Sequence, residues 1–247
     1  MNNVFYKPVV DSTNLWAKEE GMNGAPCGSV YMADMQTAGR GRRGRTWESP
    51  SGENLYFSLL LRPSFAPDKA SMLTLVMAMA VAEAVRSYGA EAYIKWPNDI
   101  VLGGKKLCGI LTEMHIQNGS YFVVVGVGVN LRKRDFSSEI AGMATSLEEE
   151  QNIAINREEL LERILKAFEK FYQEFTLRGD LCLLQDAYND ILINRGNCVK
   201  VLDPKGEFTG IARGINAVGE LLVEKEDGEI VTVYAGEVSV RGLYGYT

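Results

Sequence analysis

The chain has 247 residues, which is enough for one large domain or for two of unequal size. Its net charge of −6 and its pI of about 5.1 argue against a general nucleic-acid or membrane-surface binder. Four scattered cysteines and a single histidine argue against a zinc site or a disulfide framework. The N-terminus lacks the pattern of a signal peptide, and no apolar run is long enough to span a bilayer. These features predict a cytoplasmic protein that does not bind membranes.

Helical and strand patterns alternate along the first 190 residues. The run Asp11-Ser12-Thr13-Asn14 is a helix start signal and predicts a short helix over residues 15–21. Apolar and alternating runs predict strands over residues 29–35, 55–62, 91–96, 107–113 and 121–130. Longer helices are predicted over residues 68–88, 156–178 and 181–191, and the polar stretch 132–151 is predicted as a loop.

The character of the chain changes near residue 190. From there, five short runs separated by turn residues predict strands over 198–202, 208–215, 221–225, 230–234 and 238–241. Five strands in so short a stretch favour a small barrel. We therefore predict two domains, residues 1–190 and residues 191–247.

One loop between two predicted strands concentrates positive charge. Its sequence, residues 36–47, is Gln-Thr-Ala-Gly-Arg-Gly-Arg-Arg-Gly-Arg-Thr-Trp, with four arginines and three glycines between residues 39 and 45. Glycines let the backbone approach a ligand closely, and arginines pair with carboxylate or phosphate groups. Because the like charges repel one another, the loop is expected to be mobile when empty and to close over an anion.

Similar Arg-Gly runs occur in nucleic-acid-binding arms, which are usually disordered or broadly basic. Here the run lies between apolar strands of an acidic chain, which favours an enzyme. Asp99, beside Asn98 at a predicted strand end, and Lys106, after the Gly103-Gly104 turn, add a carboxylate and a cation. Arginine, lysine and a carboxylate that could hold Mg²⁺ are typical of nucleotide-dependent enzymes, although no P-loop is present.

At these residues the sequence resembles the biotin–protein ligases. The resemblance is carried by Asp11-Ser12-Thr13-Asn14, by residues 36–47, by Lys95-Trp96-Pro97-Asn98-Asp99, by Lys106-Leu107-Cys108-Gly109-Ile110-Leu111-Thr112-Glu113 and by Gly126-Val127-Gly128-Val129-Asn130. It covers nearly the whole chain. It implies an α+β fold with a mixed central sheet flanked by helices, related to class II aminoacyl-tRNA synthetases, and a C-terminal SH3-like barrel.

The resemblance also implies a reaction in two steps. Biotin and Mg-ATP give biotinyl-5′-AMP, and a lysine of a biotin carboxyl carrier domain then takes the biotinyl group. Because the Asp-Ser-Thr-Asn run begins at residue 11, no room remains for the DNA-binding domain of some family members. A monofunctional enzyme that does not bind DNA is therefore expected. The sequence does not decide whether the chain forms a homodimer.

The resemblance assigns roles residue by residue. Lys106 and Arg40 would stabilise the charge that develops between the two anionic reactants. The implied magnesium ligand is Asp99. The residues implied for biotin are Ser12, Thr13, Asn14, Gln36, Gly39, Arg40, Gly41, Arg42, Lys106 and Gly109. Those implied for ATP and the adenylate are Arg42, Arg43, Arg45, Trp47, Asn98, Asn130 and Arg241.

Two rivals stay open at this point. A lipoate–protein ligase would share the fold and the adenylate chemistry, although the arginine loop and the Lys-Trp-Pro-Asn-Asp run favour biotin. A nucleic-acid-binding regulator would use the arginine loop and the small barrel.

Overall fold

The computed structural model describes residues 3–52, 54–132, 136–152, 155–203, 206–235 and 239–242. Its strands are β1 (Val4–Val10), β2 (Val30–Gln36), β3 (Leu55–Leu61), β4 (Tyr93–Lys95), β5 (Asp99–Leu102), β6 (Lys105–Gln117), β7 (Ser120–Val129), β8 (Cys198–Leu202), β9 (Phe208–Ile215), β10 (Leu221–Glu224), β11 (Ile230–Val233) and β12 (Ser239–Gly242). Its α-helices are α1 (Thr13–Met22), α2 (Leu73–Arg86), α3 (Leu147–Gln151), α4 (Arg157–Arg178) and α5 (Gln185–Asp190).

Seven strands form a mixed sheet in the order β1-β2-β3-β7-β6-β5-β4. Strands β1 and β2 are parallel, and every other neighbouring pair is antiparallel. Helices α2 and α4 pack against one face, where the apolar core contains Val123 and Val125 of β7. Helix α1 packs against the opposite face, where Trp16 meets Phe122 and Val124. The alternation along β7 follows from the two-residue period of a strand that is buried on both faces.

Helix α1 carries its N-terminus to one end of the sheet. Near its other end, Gly21 lies against β7, because a Cβ at this position would come within 2.4 Å of the Phe122 ring. This close approach fixes how far along the sheet the helix lies. Residues 13 and 14 are thereby held beside Gln36 at the end of β2 and Ser58 in the middle of β3.

The C-terminal strands form a second, antiparallel sheet in the order β11-β10-β9-β8-β12. Two backbone hydrogen bonds join the preceding segment to the first sheet, from the Ile94 N–H to the Ile191 carbonyl (2.8 Å) and from the Ile193 N–H to the Ile94 carbonyl (2.9 Å). Residues just after position 190 therefore pair with β4 of the first sheet. The predicted α+β fold, with a mixed central sheet and a small all-β module, is confirmed; the domain boundary at 190 stays a prediction.

Two elements were not predicted. Strand β1 is exposed along nearly its whole length and contains Pro8, so it shows no apolar alternation. Helix α3 lies inside the stretch predicted as a loop, and the Ser146 hydroxyl caps it by accepting the Glu149 N–H at 3.2 Å. Among the described residues, no helix is both long enough and apolar enough to cross a membrane.

Candidate active site

An open pocket of about 1090 Å³ lies where the arginine loop, the start of α1 and strands β5, β6 and β7 meet. Among the predicted site residues whose side chains the structure describes, all except Gly39 line it. Gly39 instead packs against the backbone of the same loop, since a Cβ there would lie 2.4 Å from the Trp47 carbonyl oxygen. Arg241 belongs to β12 through its backbone, and its side chain is outside the described part of the chain.

Backbone hydrogen bonds fold the arginine loop back on itself. The Gly41 N–H donates to the Arg45 carbonyl at 2.7 Å, and the Trp47 N–H donates to the Gly39 carbonyl at 3.0 Å. Between these bonds, Arg43 (φ 57°) and Gly44 (φ 71°) adopt left-handed conformations that turn the chain. The turn places Arg40, Arg42, Arg43 and Arg45 together at the wall of the pocket.

Arg42 is the loop arginine that the structure ties down most firmly. It donates to Asn98 Oδ1 at 3.0 Å and to the Ala235 carbonyl of the C-terminal module. Burial lowers the pKa of Arg42; nearby Asp99 raises it, and Arg43 and Arg45 lower it further. A guanidinium stays charged under all ordinary conditions, so Arg42 keeps its positive charge in this buried position.

Lys106 and Asp99 form an ion pair at the edge of the pocket, with 2.7 Å between Nζ and Oδ1. The β5–β6 hairpin brings them together, because Gly103 (φ 57°) and Gly104 (φ 75°) make the tight turn that the sequence predicts. The Lys106 ammonium is also 5.3 Å from the centre of the Trp47 ring. The ion pair holds Lys106 at the pocket wall.

Two glycines form a flat floor under Trp47. Gly109 of β6 pairs with Gly128 of β7, and Cβ atoms at these positions would come within 3.0 Å and 2.4 Å of the indole. The Trp47 Nε1 and the Asn130 Oδ1 are buried and find no hydrogen-bond partner among the described residues. Such atoms are rare in folded proteins and indicate a donor and an acceptor for a ligand.

The start of α1 forms an uncharged polar end to the pocket. The Thr13 N–H and hydroxyl both donate to Gln36 Oε1, at 2.9 and 3.2 Å, and Gln36 Nε2 donates to Ser49 Oγ at 2.7 Å. One N–H of the Gln36 amide is left for a ligand. The buried Ser12 hydroxyl makes no capping bond to the helix. Ser12 and Gln36 are therefore the side chains of this end that keep hydrogen-bonding capacity.

Asn14, by contrast, is held almost entirely by the protein. Its Nδ2 donates to the Leu111 carbonyl at 3.2 Å and to Glu113 Oε2 at 2.7 Å, and the Ser58 hydroxyl lies 2.6 Å from its Oδ1. A Cβ at Gly126 would lie 2.0 Å from the same Oδ1. These contacts fix the amide against β7.

Sequence reasoning assigned no role to Ser58, Glu113 or Lys95. Ser58 lies inside an apolar strand and carried no signal. Glu113 and Lys95 belong to the motifs that carry the family resemblance. The sequence offers no other signal of their roles. Lys95 lines the pocket with only 6% of its surface exposed, and a lysine is rarely so buried unless it is paired.

The charges of the pocket wall are unequal. The basic lining residues are Arg40, Arg42, Arg43, Arg45, Lys95 and Lys106, and the acidic ones are Glu48, Asp99 and Glu139. An excess of cations, with an uncharged polar end and a flat apolar floor, suits an anionic ligand that also carries hydrogen-bonding groups. The described residues contain no group of three or more side chains that could hold a metal ion on their own.

Two family models match the chain. The Biotin/lipoate A/B protein ligase family matches residues 6–130, and the Biotin protein ligase C terminal domain matches residues 196–241. The Bifunctional ligase/repressor BirA of Bacillus subtilis is 37% identical over 243 residues, covering 96% of this chain and 74% of that protein. The Biotin--[acetyl-CoA-carboxylase] ligase of Paracoccus denitrificans is 34% identical over 241 residues, covering 94% of this chain and 98% of that protein.

A solved structure supports the same relationship. The biotin protein ligase from Aquifex aeolicus in complex with biotin and ATP superposes with a TM-score of 0.85 at 32% identity, covering 97% of this chain and 99% of that one. The similarity therefore extends over both sheets.

The first prediction concerns the support of α1. Ser58→Ala should lower the free energy of unfolding by about 1–3 kcal/mol, because the buried Thr13 and Asn14 oxygens lose their shared donor. Urea denaturation measures the change. The matched control is Ser120→Ala on β7, whose exposed hydroxyl bonds only the Gln117 carbonyl and whose loss should cost less than about 0.5 kcal/mol. Equal stability of the two variants would contradict the supporting role of Ser58.

Proposed function

The chain belongs to the biotin/lipoate A/B protein ligase family, and we propose that its pocket joins biotin to ATP and passes the biotinyl group to a lysine of a carrier domain. The chain is a biotin ligase, in agreement with the names of its relatives. One observation carries the assignment to this pocket: a dense set of cations lies opposite an uncharged polar end, within a single cavity. Biotin has the matching polarity, with an uncharged ureido ring at one end and a carboxylate at the other.

We assign the uncharged end to the ureido group. Ser12 and Gln36 keep free hydrogen-bonding capacity there, while Thr13 and Asn14 are held by protein partners and position the start of α1. The flat floor of Gly109 and Gly128 carries the Trp47 indole, which side chains at these positions would displace. Gly41, in the arginine loop, also lines the pocket.

The cationic side of the pocket would hold the reacting groups. In the first step, a biotin carboxylate oxygen forms a bond to the α-phosphorus of ATP, and the bond to the pyrophosphate oxygen breaks. Both reactants are anions, so Lys106 and Arg40 would reduce their repulsion and stabilise the charge of the transition state. No proton has to move in this step, which fits a wall made of permanent cations.

In the second step, the neutral amine of the carrier lysine attacks the carbonyl carbon of the mixed anhydride, AMP leaves with the bond electrons, and the new amide nitrogen gives up one proton to solvent. Until then the anhydride must be kept from water. Arg42, Arg43, Arg45 and Trp47 would close over it. Asn130 offers a buried acceptor on this side, Asn98 fixes Arg42, and Arg241 is proposed for the phosphates. The mobility of the empty loop stays a prediction.

Magnesium is proposed as a companion of ATP. Mg²⁺ is usually held by one or two carboxylates together with substrate phosphates and water, so the lack of a larger cluster among the described residues fits this use. Asp99 lines the pocket and would supply the carboxylate. When bound, the ion would neutralise phosphate charge.

The biological setting is proposed on the same basis. Relatives named as biotin--[acetyl-CoA-carboxylase] ligases support a biotin carboxyl carrier domain as the protein substrate. Cytoplasmic location, a homodimer and a monofunctional chain that does not bind DNA stay predictions. No feature of the pocket specifically favours a lipoate–protein ligase or a nucleic-acid-binding regulator.

The function is tested by incubating the chain with biotin, Mg-ATP and a biotin carboxyl carrier domain. Intact-mass measurement should show one biotinyl group on the carrier, and pyrophosphate should be released. A parallel incubation with lipoate and a lipoyl domain tests the rival ligase. Modification of the lipoyl domain alone would overturn the proposal.

The third prediction concerns Lys106. Lys106→Met should reduce pyrophosphate release by roughly 10²–10³-fold, as expected when one preorganised donor to the transition state is lost. Its neighbour Lys105 provides the control, because it faces Glu149 at 4.0 Å and does not line the pocket. Lys105→Met should retain wild-type activity. Near-normal activity of the Lys106 variant would refute its role.

The fourth prediction separates two roles of Asp99. Asp99→Asn should raise the Mg²⁺ concentration that gives half-maximal pyrophosphate release, because one carboxylate ligand of the ion is lost. If Asp99 only orients Lys106, the rate falls at every Mg²⁺ concentration and the half-maximal concentration does not change. A magnesium titration at saturating ATP distinguishes these results.

A further inference from the structure

Trp96 joins the pocket to the C-terminal module. The residue lines the pocket, is only 2% exposed and belongs to the apolar core. Its indole Nε1 donates to the Gly219 carbonyl at 3.0 Å, and its backbone N–H donates to Asn194 Oδ1 at 2.9 Å. The residue thus fastens a turn of the second sheet to the same short segment that carries Asn98 and Asp99.

The turn that receives the indole is itself firmly held. It connects β9 to β10, and Asn216 Oδ1 accepts the N–H groups of Val218 (3.1 Å) and Glu220 (3.0 Å). Gly219 has a φ of 80°, and a Cβ there would come within 2.9 Å of Leu75 on α2. The turn and α2 therefore set the position of the Gly219 carbonyl. A hydrogen bond from Trp96 to this carbonyl can thus fix the orientation of the C-terminal module.

A second contact joins the same two parts of the molecule at the arginine loop. Arg42 donates to the Ala235 carbonyl, just beyond β11, and to Asn98 Oδ1. Val240 of β12 also lines the pocket. A shift of the second sheet would therefore move the Ala235 carbonyl away from Arg42. The loop's closed position depends on where the C-terminal module sits.

We propose that Trp96 is a positioning residue for retention of the adenylate. Its hydrogen bond to the β9–β10 turn sets the C-terminal module where the Ala235 carbonyl holds Arg42, and Arg42 in turn holds the loop closed. The inference rests on the proposed function, because the retained ligand is biotinyl-5′-AMP. Trp96 acts through Arg42 and needs no contact with the reacting atoms.

Trp96→Phe tests the bond, because it removes the indole N–H and keeps an aromatic ring. Enzyme-bound biotinyl-5′-AMP should dissociate about fivefold faster, which is the ratio produced by the loss of about 1 kcal/mol. The Kd of biotin alone should not change, since the polar end at α1 is untouched. Trp16→Phe is the matched control: it removes an indole bond to Glu20 Oε1 (3.1 Å) on α1, outside the pocket lining, and should release the adenylate at the wild-type rate.

A second pair of variants tests the contact from the other side, in case Trp96→Phe fails to fold. Asn216→Ala loosens the turn that presents the Gly219 carbonyl and should also speed release of the adenylate. Asp227→Ala removes the same kind of turn acceptor, for the Glu229 N–H at 3.0 Å, in the β10–β11 turn, and should have no effect.

Wild-type dissociation rates in both Trp96→Phe and Asn216→Ala would overturn the proposal. Equal acceleration in all four variants would overturn it as well, since it would indicate general loosening. If the wild-type chain forms no adenylate, the proposed function fails instead.

Discussion

Repulsion between like charges is the constraint on which the site depends. Four arginines of one loop and two lysines surround a single cavity of an acidic protein. Burial lowers the pKa of Arg42, and its neighbours Arg43 and Arg45 lower it further. The protein offsets the repulsion with a few fixed partners: Asp99 beside Lys106, and the Asn98 oxygen and the Ala235 carbonyl on Arg42. A carboxylate and a triphosphate would neutralise what remains.

The opposite end of the pocket follows a different principle. There, uncharged groups and the Glu113 carboxylate are fixed by hydrogen bonds to one another, from Ser58 and Glu113 through Asn14 and Thr13 to Gln36. Such a network, with nearly every donor and acceptor satisfied, is rigid. A rigid neutral end and a crowded cationic side place a bipolar substrate in one orientation, with its carboxylate among the cations.

Much of this organisation can be predicted from the sequence, because local patterns carry it. Period-2 runs give most strands within one or two residues, and the Gly103-Gly104 turn and the Asn156 cap are local signals. Strand β1 could not be predicted, because it is an exposed edge strand stabilised by pairing with β2. Helix α3 has only five residues, too few for a periodic signal. Ser58 could not be found either, since its role exists only after α1 packs over β3.

The sequence by itself determined the chemistry of this protein. The arginine loop, the Lys-Trp-Pro-Asn-Asp run and Lys106 specify cations and a carboxylate, and the order of these motifs along the chain identifies the family. The tertiary structure decided which of these side chains have capacity left for a ligand and which are used by the protein. Asn14 is used by Ser58, Leu111 and Glu113, whereas Ser12 and Asn130 keep capacity. The physical reason is that a hydrogen bond or an ion pair depends on distance in space, and these partners are up to 99 residues apart along the chain.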